Sequence, residues 1–142
     1  MITVGQLKEV SIENCKELEL LASALHVSER KTSPKEIDAI LKNPYIIFVV
    51  AKDDSRIIGM GALYLNQKIG KLAGYIDDVI VDATYRGQGL GEKIVQAIIT
   101  SAREHHVPSI TLTSSSKRTA AHRLYEKLGF KKYETNVFKI SL

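Results

Sequence analysis

Val79-Ile80-Val81-Asp82-Ala83-Thr84-Tyr85-Arg86-Gly87-Gln88-Gly89-Leu90-Gly91 decides the reading of this chain. It is an apolar strand, a short turn, and a glycine-rich run that opens a helix. Ile94, Val95, Ile98, Ile99 and Ala102 continue that helix at spacings of three and four. Glycines at 87, 89 and 91 leave backbone N–H groups uncovered, the helix dipole points its positive end the same way, and Arg86 adds a charge. The stretch therefore suits a pyrophosphate or similar anion. Two common nucleotide loops do not fit it. In Gly87-Gln88-Gly89-Leu90-Gly91 the third glycine falls one place early for a dinucleotide fingerprint, and the acid expected about twenty residues on is absent near Pro108. A Walker A loop needs Gly-Lys-Ser/Thr, which is missing.

Outward from this stretch, the pattern alternates between strands and helices. Ile2 to Val10 reads as a first strand. Ser11 is a plausible N-cap for a helix with Leu18, Leu21, Ala22 and Leu25 on one face, although Asn14 stands where a capping box carries Glu or Gln. Val27 to Ser33 breaks the pattern. Ser33-Pro34 starts a second helix and Asn43-Pro44 ends it. Tyr45 to Ala51, Ile57 to Leu65 and Leu72 to Val81 are strands, with Gly59 and Gly61 allowing a bend or close approach. The long helix ends near His105-His106, Ile110 to Thr113 is a strand, and Thr119 to Leu128 is a helix closed by Gly129. Phe130 to Leu142 reads as two short closing strands. The unit from 72 to 113 implies a parallel crossover, and the tightly joined strands before it are antiparallel. The expected fold is α/β, with a mixed, mostly antiparallel sheet of about six to seven strands and helices on both faces, in a single domain over residues 1–142.

A second motif gives the cradle a purpose. Together with Arg86-Gly87-Gln88-Gly89-Leu90-Gly91, the stretch Ala121-His122-Arg123-Leu124-Tyr125-Glu126-Lys127-Leu128-Gly129-Phe130 resembles the GNAT (Gcn5-related) N-acetyltransferases. The first matches that family's acetyl-CoA pyrophosphate loop and the second its Leu-Tyr-x-Lys-x-Gly-Phe signature. The order of elements agrees over the whole chain. The resemblance implies an acetyl-CoA co-substrate, with the backbone of Arg86 to Gly91 on the pyrophosphate and the strand Val79, Ile80, Val81 along the pantetheine arm. It also implies direct attack of an amine on the thioester, without an acyl-enzyme, and a backbone N–H polarising the carbonyl. Tyr125 matches the tyrosine that protonates the leaving thiolate. The adjacent pair Asp77 and Asp78 is similar to the acidic pair of polyamine and amino-sugar-phosphate acetyltransferases, with Asp77 as base and Asp78 as substrate contact. On a regular strand two consecutive residues face opposite ways. Arg118 departs from the pattern: many members have Asn there, and Arg118 could reach a CoA phosphate instead.

The totals agree with such a protein. Hydrophobic residues are 44% and charged ones 25%, an ordinary globular balance, and no run of about 18 apolar residues suggests a membrane span. The N-terminus lacks a signal-peptide layout and Cys15 is the single cysteine, so the expected setting is the cytoplasm. Cys15, far in sequence from both motifs, reads as a small core or surface residue rather than a nucleophile. The net charge is +4, concentrated late at Lys117, Arg118, Arg123, Lys127, Lys131 and Lys132. Without interleaved aromatics, that excess suits a small polyphosphate ligand better than nucleic acid. No histidine or cysteine spacing suggests a metal. The expected partner is a small-molecule or peptide amine, a polyamine or amino sugar among the candidates. Val137 to Leu142 offers an edge through which two copies could form a homodimer. A non-catalytic acyl-CoA-binding sensor is the alternative function.

Overall fold

The computed structural model describes residues 1–26 and 30–142. Five strands, β1 (Ile2–Gln6), β2 (Ile46–Asp53), β3 (Arg56–Lys68), β4 (Lys71–Val81) and β5 (Ile110–Thr111), form one sheet in the order β1-β2-β3-β4-β5. Helices α1 (Ile12–Leu25), α2 (Pro34–Lys42), α3 (Leu90–Glu104) and α4 (Thr119–Lys127) flank it. β1 to β4 pair antiparallel and β4 pairs β5 in parallel, so the long helix α3 makes the expected crossover. The expected polar break at 27–33 falls in part on residues 27–29, outside the described residues.

The helix caps follow the sequence. Ser33 Oγ accepts the Glu36 amide ahead of Pro34, and Ser11 Oγ accepts the Asn14 amide. Asn14 is no capping-box partner, however. Its side chain is buried and donates to Glu17 and to the Ser55 carbonyl, while Glu17 accepts the Ile57 amide. These bonds pin the start of α1 to the β2–β3 hairpin.

The two sheet faces bury different cores. Ile47, Val49, Leu63 and Ile76 meet Ile94, Val95 and Ile98 of α3 on one face, and α4 adds Tyr125 and Leu128 there. Val50, Ile57 and Met60 meet Leu18, Leu21 and Ile37 of α1 and α2 on the other. Gly61 is why α3 lies so close to the sheet. A Cβ there would come within 2.8 Å of Ile94 Cγ2 and 3.1 Å of Ile98 Cδ1.

The strand count is the main correction. Among the described residues there are five strands, not six or seven, because Phe130 to Leu142 forms none. The last backbone bond in this region is from Phe130 N–H to the Tyr125 carbonyl at 2.9 Å. Beyond it Tyr133, Val137, Phe138, Ile140 and Leu142 are all exposed. The alternation of Phe138, Ile140 and Leu142 is a genuine strand pattern, but a strand also needs an edge to pair with, and pairing is not a local property. β1 likewise stops at Gln6, four residues short of the expected Val10.

Candidate active site

The site begins with an irregularity in β4. Met60 pairs with Ile80 and Ala62 with Asp77, so β4 carries one extra residue, and Asp78 and Val79 fall outside the β3 ladder. Asp78 sits in this bulge at φ 59°, a left-handed conformation that Asp tolerates better than most side chains. The extra residue reverses the phase of the strand. Ile76 before it faces the α3 core; after it Val79 and Val81 face that core and Ile80 faces the α1 side. The simple alternation expected for Asp77 and Asp78 therefore does not hold. Asp77 is exposed and its Oδ1 accepts the Asp78 amide at 2.8 Å, which caps the bulge.

Asp78 turns into a cavity of ≈ 180 Å³ between α1, α2 and the sheet, lined by Leu18, Ile37, Met60 and Tyr64 among others. Its Oδ2 accepts the Tyr64 hydroxyl at 3.1 Å and its Oδ1 lies 3.1 Å from His26 Nε2. Burial, then the neighbouring Asp78 charge, pushes the Tyr64 phenol well above its ordinary range, so it serves as a fixed donor to that carboxylate. His26 is exposed, which connects the buried end of this chain of hydrogen bonds to solvent. Sequence reasoning missed both Tyr64 and His26. Tyr64 lies two positions from Ala62 on a strand whose pattern looks wholly apolar, and His26 is more than fifty residues from its partner.

On its other side β4 runs out of neighbours. β5 pairs only at Gly74↔Ile110 and Tyr75↔Thr111, so beyond Tyr75 no described strand continues that edge. The Asp82 amide donates to the Ile58 carbonyl at 2.8 Å. By antiparallel alternation Ile80 points its backbone at β3 and Val81 points its own at the open edge. The Val81 carbonyl accepts from Arg86 Nε at 3.2 Å there. Ile80 thus differs from Val79 and Val81: its backbone is committed to the sheet.

The glycine run follows. A 3-10 turn, Ala83–Tyr85, is held by Asp82, whose Oδ1 accepts the Thr84 amide and hydroxyl, and by the Tyr85 hydroxyl donating to Asp53. These Thr84 bonds, helped by Arg56 and Arg86, hold the Asp82 carboxyl below its usual range. Gly87 and Gly89 have φ of 79° and 75°, so both need glycine. Gly89 is the N-cap of α3, and no side chain caps that end. The first α3 amides, those of Leu90 and Gly91 included, lack intrahelical acceptors, and apart from the adjoining backbone nothing lies within 4 Å of where a Cβ would stand at residues 87, 89 or 91. An open, uncapped helix start of this kind fits a pyrophosphate. Gln88 is exposed within it.

Tyr125 sits apart from the aspartates, on α4. Its helix ends in a Schellman motif: Phe130 N–H reaches the Tyr125 carbonyl at 2.9 Å and Gly129 N–H reaches Glu126 at 3.0 Å, with Gly129 at φ 98°. The Tyr125 and Phe130 rings meet edge to face at 5.9 Å. The Gly-Phe of the sequence motif thereby fixes the tyrosine ring. Burial raises the Tyr125 phenol, and the Arg118 charge offsets part of that rise. Arg118 is exposed at the start of α4. Lys127 bridges to Glu92, tying α4 to the first turn of α3. Cys15 is buried on the α1 face, and burial raises its thiol, as suits a core residue. Among the described residues no cluster of His, Cys, Asp or Glu is arranged to hold a metal, and no helix is long and apolar enough to cross a membrane.

Known proteins are similar to this chain in sequence and fold. The sequence profile of the acetyltransferase (GNAT) family matches residues 13–130. A glucosamine 6-phosphate N-acetyltransferase of Trypanosoma brucei brucei is 37% identical over 56% of this chain and 54% of its own length. N-alpha-acetyltransferase 30 of Saccharomyces cerevisiae is 30% identical over 68% of this chain and 65% of its own. The chain thus spans between about half and two thirds of these curated relatives. Among solved structures, an acetyltransferase of Trypanosoma brucei superposes with a TM-score of 0.81 at 26% identity over 100% of both chains. An aminoglycoside acetyltransferase from an uncultured soil sample, in complex with sisomicin, gives 0.85 at 18% identity over 99% of this chain and 96% of its own. The last likeness is one of fold.

Proposed function

The chain belongs to the acetyltransferase (GNAT) family, and on that premise we propose that it is an acetyl-CoA-dependent N-acetyltransferase acting on a primary amine. One juxtaposition supports this reading most. The β4 bulge has a carboxylate-lined cavity on one side and an open strand edge on the other, and that edge leads straight into an uncapped helix start.

Acetyl-CoA supplies an activated acyl thioester as co-substrate. In this reading the amides of Gly87 to Gly91 hold its pyrophosphate, with Arg86 and Arg118 adding positive charge. Val79, at the bulge, and Val81, on the open edge, offer backbone groups to the pantetheine arm and the acetyl carbonyl; Ile80 contributes packing. Asp78 meets the amine and, with Tyr64 donating to its other oxygen, orients it. The amine's proton passes to Asp78 and on to solvent at the exposed His26 end of the cavity. The family resemblance assigns that proton to Asp77; in this reading Asp77 acts one step removed, by accepting the Asp78 amide and holding the bulge. The nitrogen–carbon bond forms as the carbon–sulfur bond breaks, and Tyr125 donates its phenolic proton to the departing sulfur. Cys15 takes no part.

Calorimetry with acetyl-CoA and thiol release with a panel of amines test the proposal together. Binding with amine-dependent release of free thiol is expected. Binding without release for any amine would favour a sensor over an enzyme. The role of Tyr125 has its own signature. Because burial raises its phenol, the proton stays in place through the ordinary tyrosine range near pH ~10. The alkaline limb of kcat due to Tyr125 should therefore begin no lower than about pH 10. Tyr125→Phe should lower kcat about tenfold or more with little change in the amine KM. A limb below pH 9 that disappears in Tyr125→Phe would contradict this assignment.

We also propose a homodimer formed through Val137 to Leu142, where the alternating Phe138, Ile140 and Leu142 are exposed in the single chain. Light scattering on the full chain should give twice the chain mass, and deletion of 131–142 should return the monomer.

A further inference from the structure

We infer, resting on the acetyl-transfer reading above, that the acceptor is a small unphosphorylated amine with an aliphatic or aromatic body, and that phosphorylated amino sugars are poor acceptors. The lining of the cavity carries this inference. Among the described residues its ionisable groups are Glu19, His26, Tyr64 and Asp78, and no lysine or arginine lines it. Both carboxylates are held in place. Glu19 Oε1 accepts the Thr32 amide at 2.8 Å, and Asp78 is fixed by Tyr64 and His26. Apart from the exposed His26, the field in the cavity is therefore that of two oriented carboxylates, which favours a cation.

A sugar phosphate would bring a charge of about −1.5 to −2 at neutral pH. Against Glu19 and Asp78 it would find repulsion and no arginine fork or lysine to offset its lost hydration. Sugar hydroxyls fare little better. Most of the remaining wall is hydrocarbon, with Leu18, Ile37, Leu41, Phe48 and Met60 facing the space, and a hydroxyl placed there loses its water partners without replacement. An ammonium on an alkyl or aryl stem satisfies both parts: its charge meets Asp78 while its stem displaces water from apolar walls. At ≈ 180 Å³ the cavity is smaller than the roughly 300–1,000 Å³ typical of drug-sized ligands, so the body is short.

The basic surface does not oppose this. The late-chain cations Arg118, Arg123 and Lys127 lie on or beside α4, which packs against the α3 side of the sheet rather than the cavity side. Two opposite charge preferences are thus separated across β4: positive charge toward the anionic co-substrate and negative charge toward the cationic amine.

The test uses the full chain with saturating acetyl-CoA and reads kcat/KM by thiol release. Hexylamine and phenethylamine are compared with glucosamine, glucosamine 6-phosphate and a short peptide with a free N-terminus. Hexylamine or phenethylamine should exceed glucosamine 6-phosphate about tenfold or more. Glu19→Gln, which keeps an acceptor for Thr32, should raise the hexylamine KM several-fold, leave kcat within about twofold, and narrow the gap to the phosphorylated sugar. Equal or better turnover of glucosamine 6-phosphate, or of the peptide, overturns the inference while leaving acetyl transfer intact. No turnover of any amine by a chain that binds acetyl-CoA overturns both.

Discussion

On the α3 face of the sheet, Ile94, Val95 and Ile98 are fully buried against Ile47, Val49 and Leu63. On the α1/α2 face the same strands present Met60, Tyr64 and Asp78 to a cavity, with helices standing off far enough to leave room. Both faces come from one set of strands, so the difference lies in two local features. Gly61 brings α3 into contact with the sheet, and the β4 bulge turns a carboxylate away from that contact and into the opposite space. Without the extra residue, strand alternation would carry Asp78 to the same side as Ile76, into hydrocarbon. One face therefore supplies stability and the other chemistry, and substitutions should separate the two.

The largest effect is expected on the chemical face. Asp78→Asn keeps the left-handed backbone and the hydrogen bond from Tyr64 but removes the charge. It should lower kcat/KM at least about a hundredfold, or roughly 2.7 kcal/mol, with little change in the denaturation midpoint. Equal losses of stability and activity would mean that Asp78 only holds the bulge. The opposite face should answer in the opposite way. Gly61→Val drives side-chain atoms into Ile94 and Ile98, which already stand 2.8 and 3.1 Å from the position of a Cβ. Overpacking of this kind costs about 1–3 kcal/mol. Urea unfolding should show a lower midpoint with an unchanged slope. A stable Gly61→Val variant would show that α3 can move away from the sheet at little cost.

Much of this division was legible in the sequence, and what was missed has a physical reason. Ser33-Pro34, the α3 periodicity and Gly129 are local signals, so the helices and the crossover came out in order. The glycine cradle was legible for the same reason: a helix start that needs left-handed residues at 87 and 89 must declare them. The bulge was not, because it depends on register between two strands rather than on either sequence alone. With it went the orientation of the Asp77-Asp78 pair, and with that Tyr64 and His26, whose roles exist only once Asp78 faces them. The closing strands failed through the same dependence on a partner. Phe138, Ile140 and Leu142 carry the right alternation, but no edge in the single chain receives them.

The smallest effect sharpens the contrast, because it uses one motif at two places. α3 ends as α4 does: Val107 N–H reaches Ala102 at 2.9 Å and His106 N–H reaches Arg103 at 3.0 Å, the bonds of a Schellman turn. In α4 the left-handed residue is Gly129, but in α3 it is His106, at φ 55°. A β-carbon in that conformation is costly by roughly 1 kcal/mol, and the His106 side chain is exposed, so little else depends on it. His106→Gly should therefore stabilise the fold by about 0.5–1 kcal/mol, part of the gain being offset by the freedom glycine gives the unfolded chain. Thermal unfolding should show a rise of a few degrees, and kcat/KM should not move, because the turn lies at the far end of α3 from the glycine loop. A change in turnover here would mean that the end of α3 is coupled to its start, and that the two faces are less independent than their packing implies.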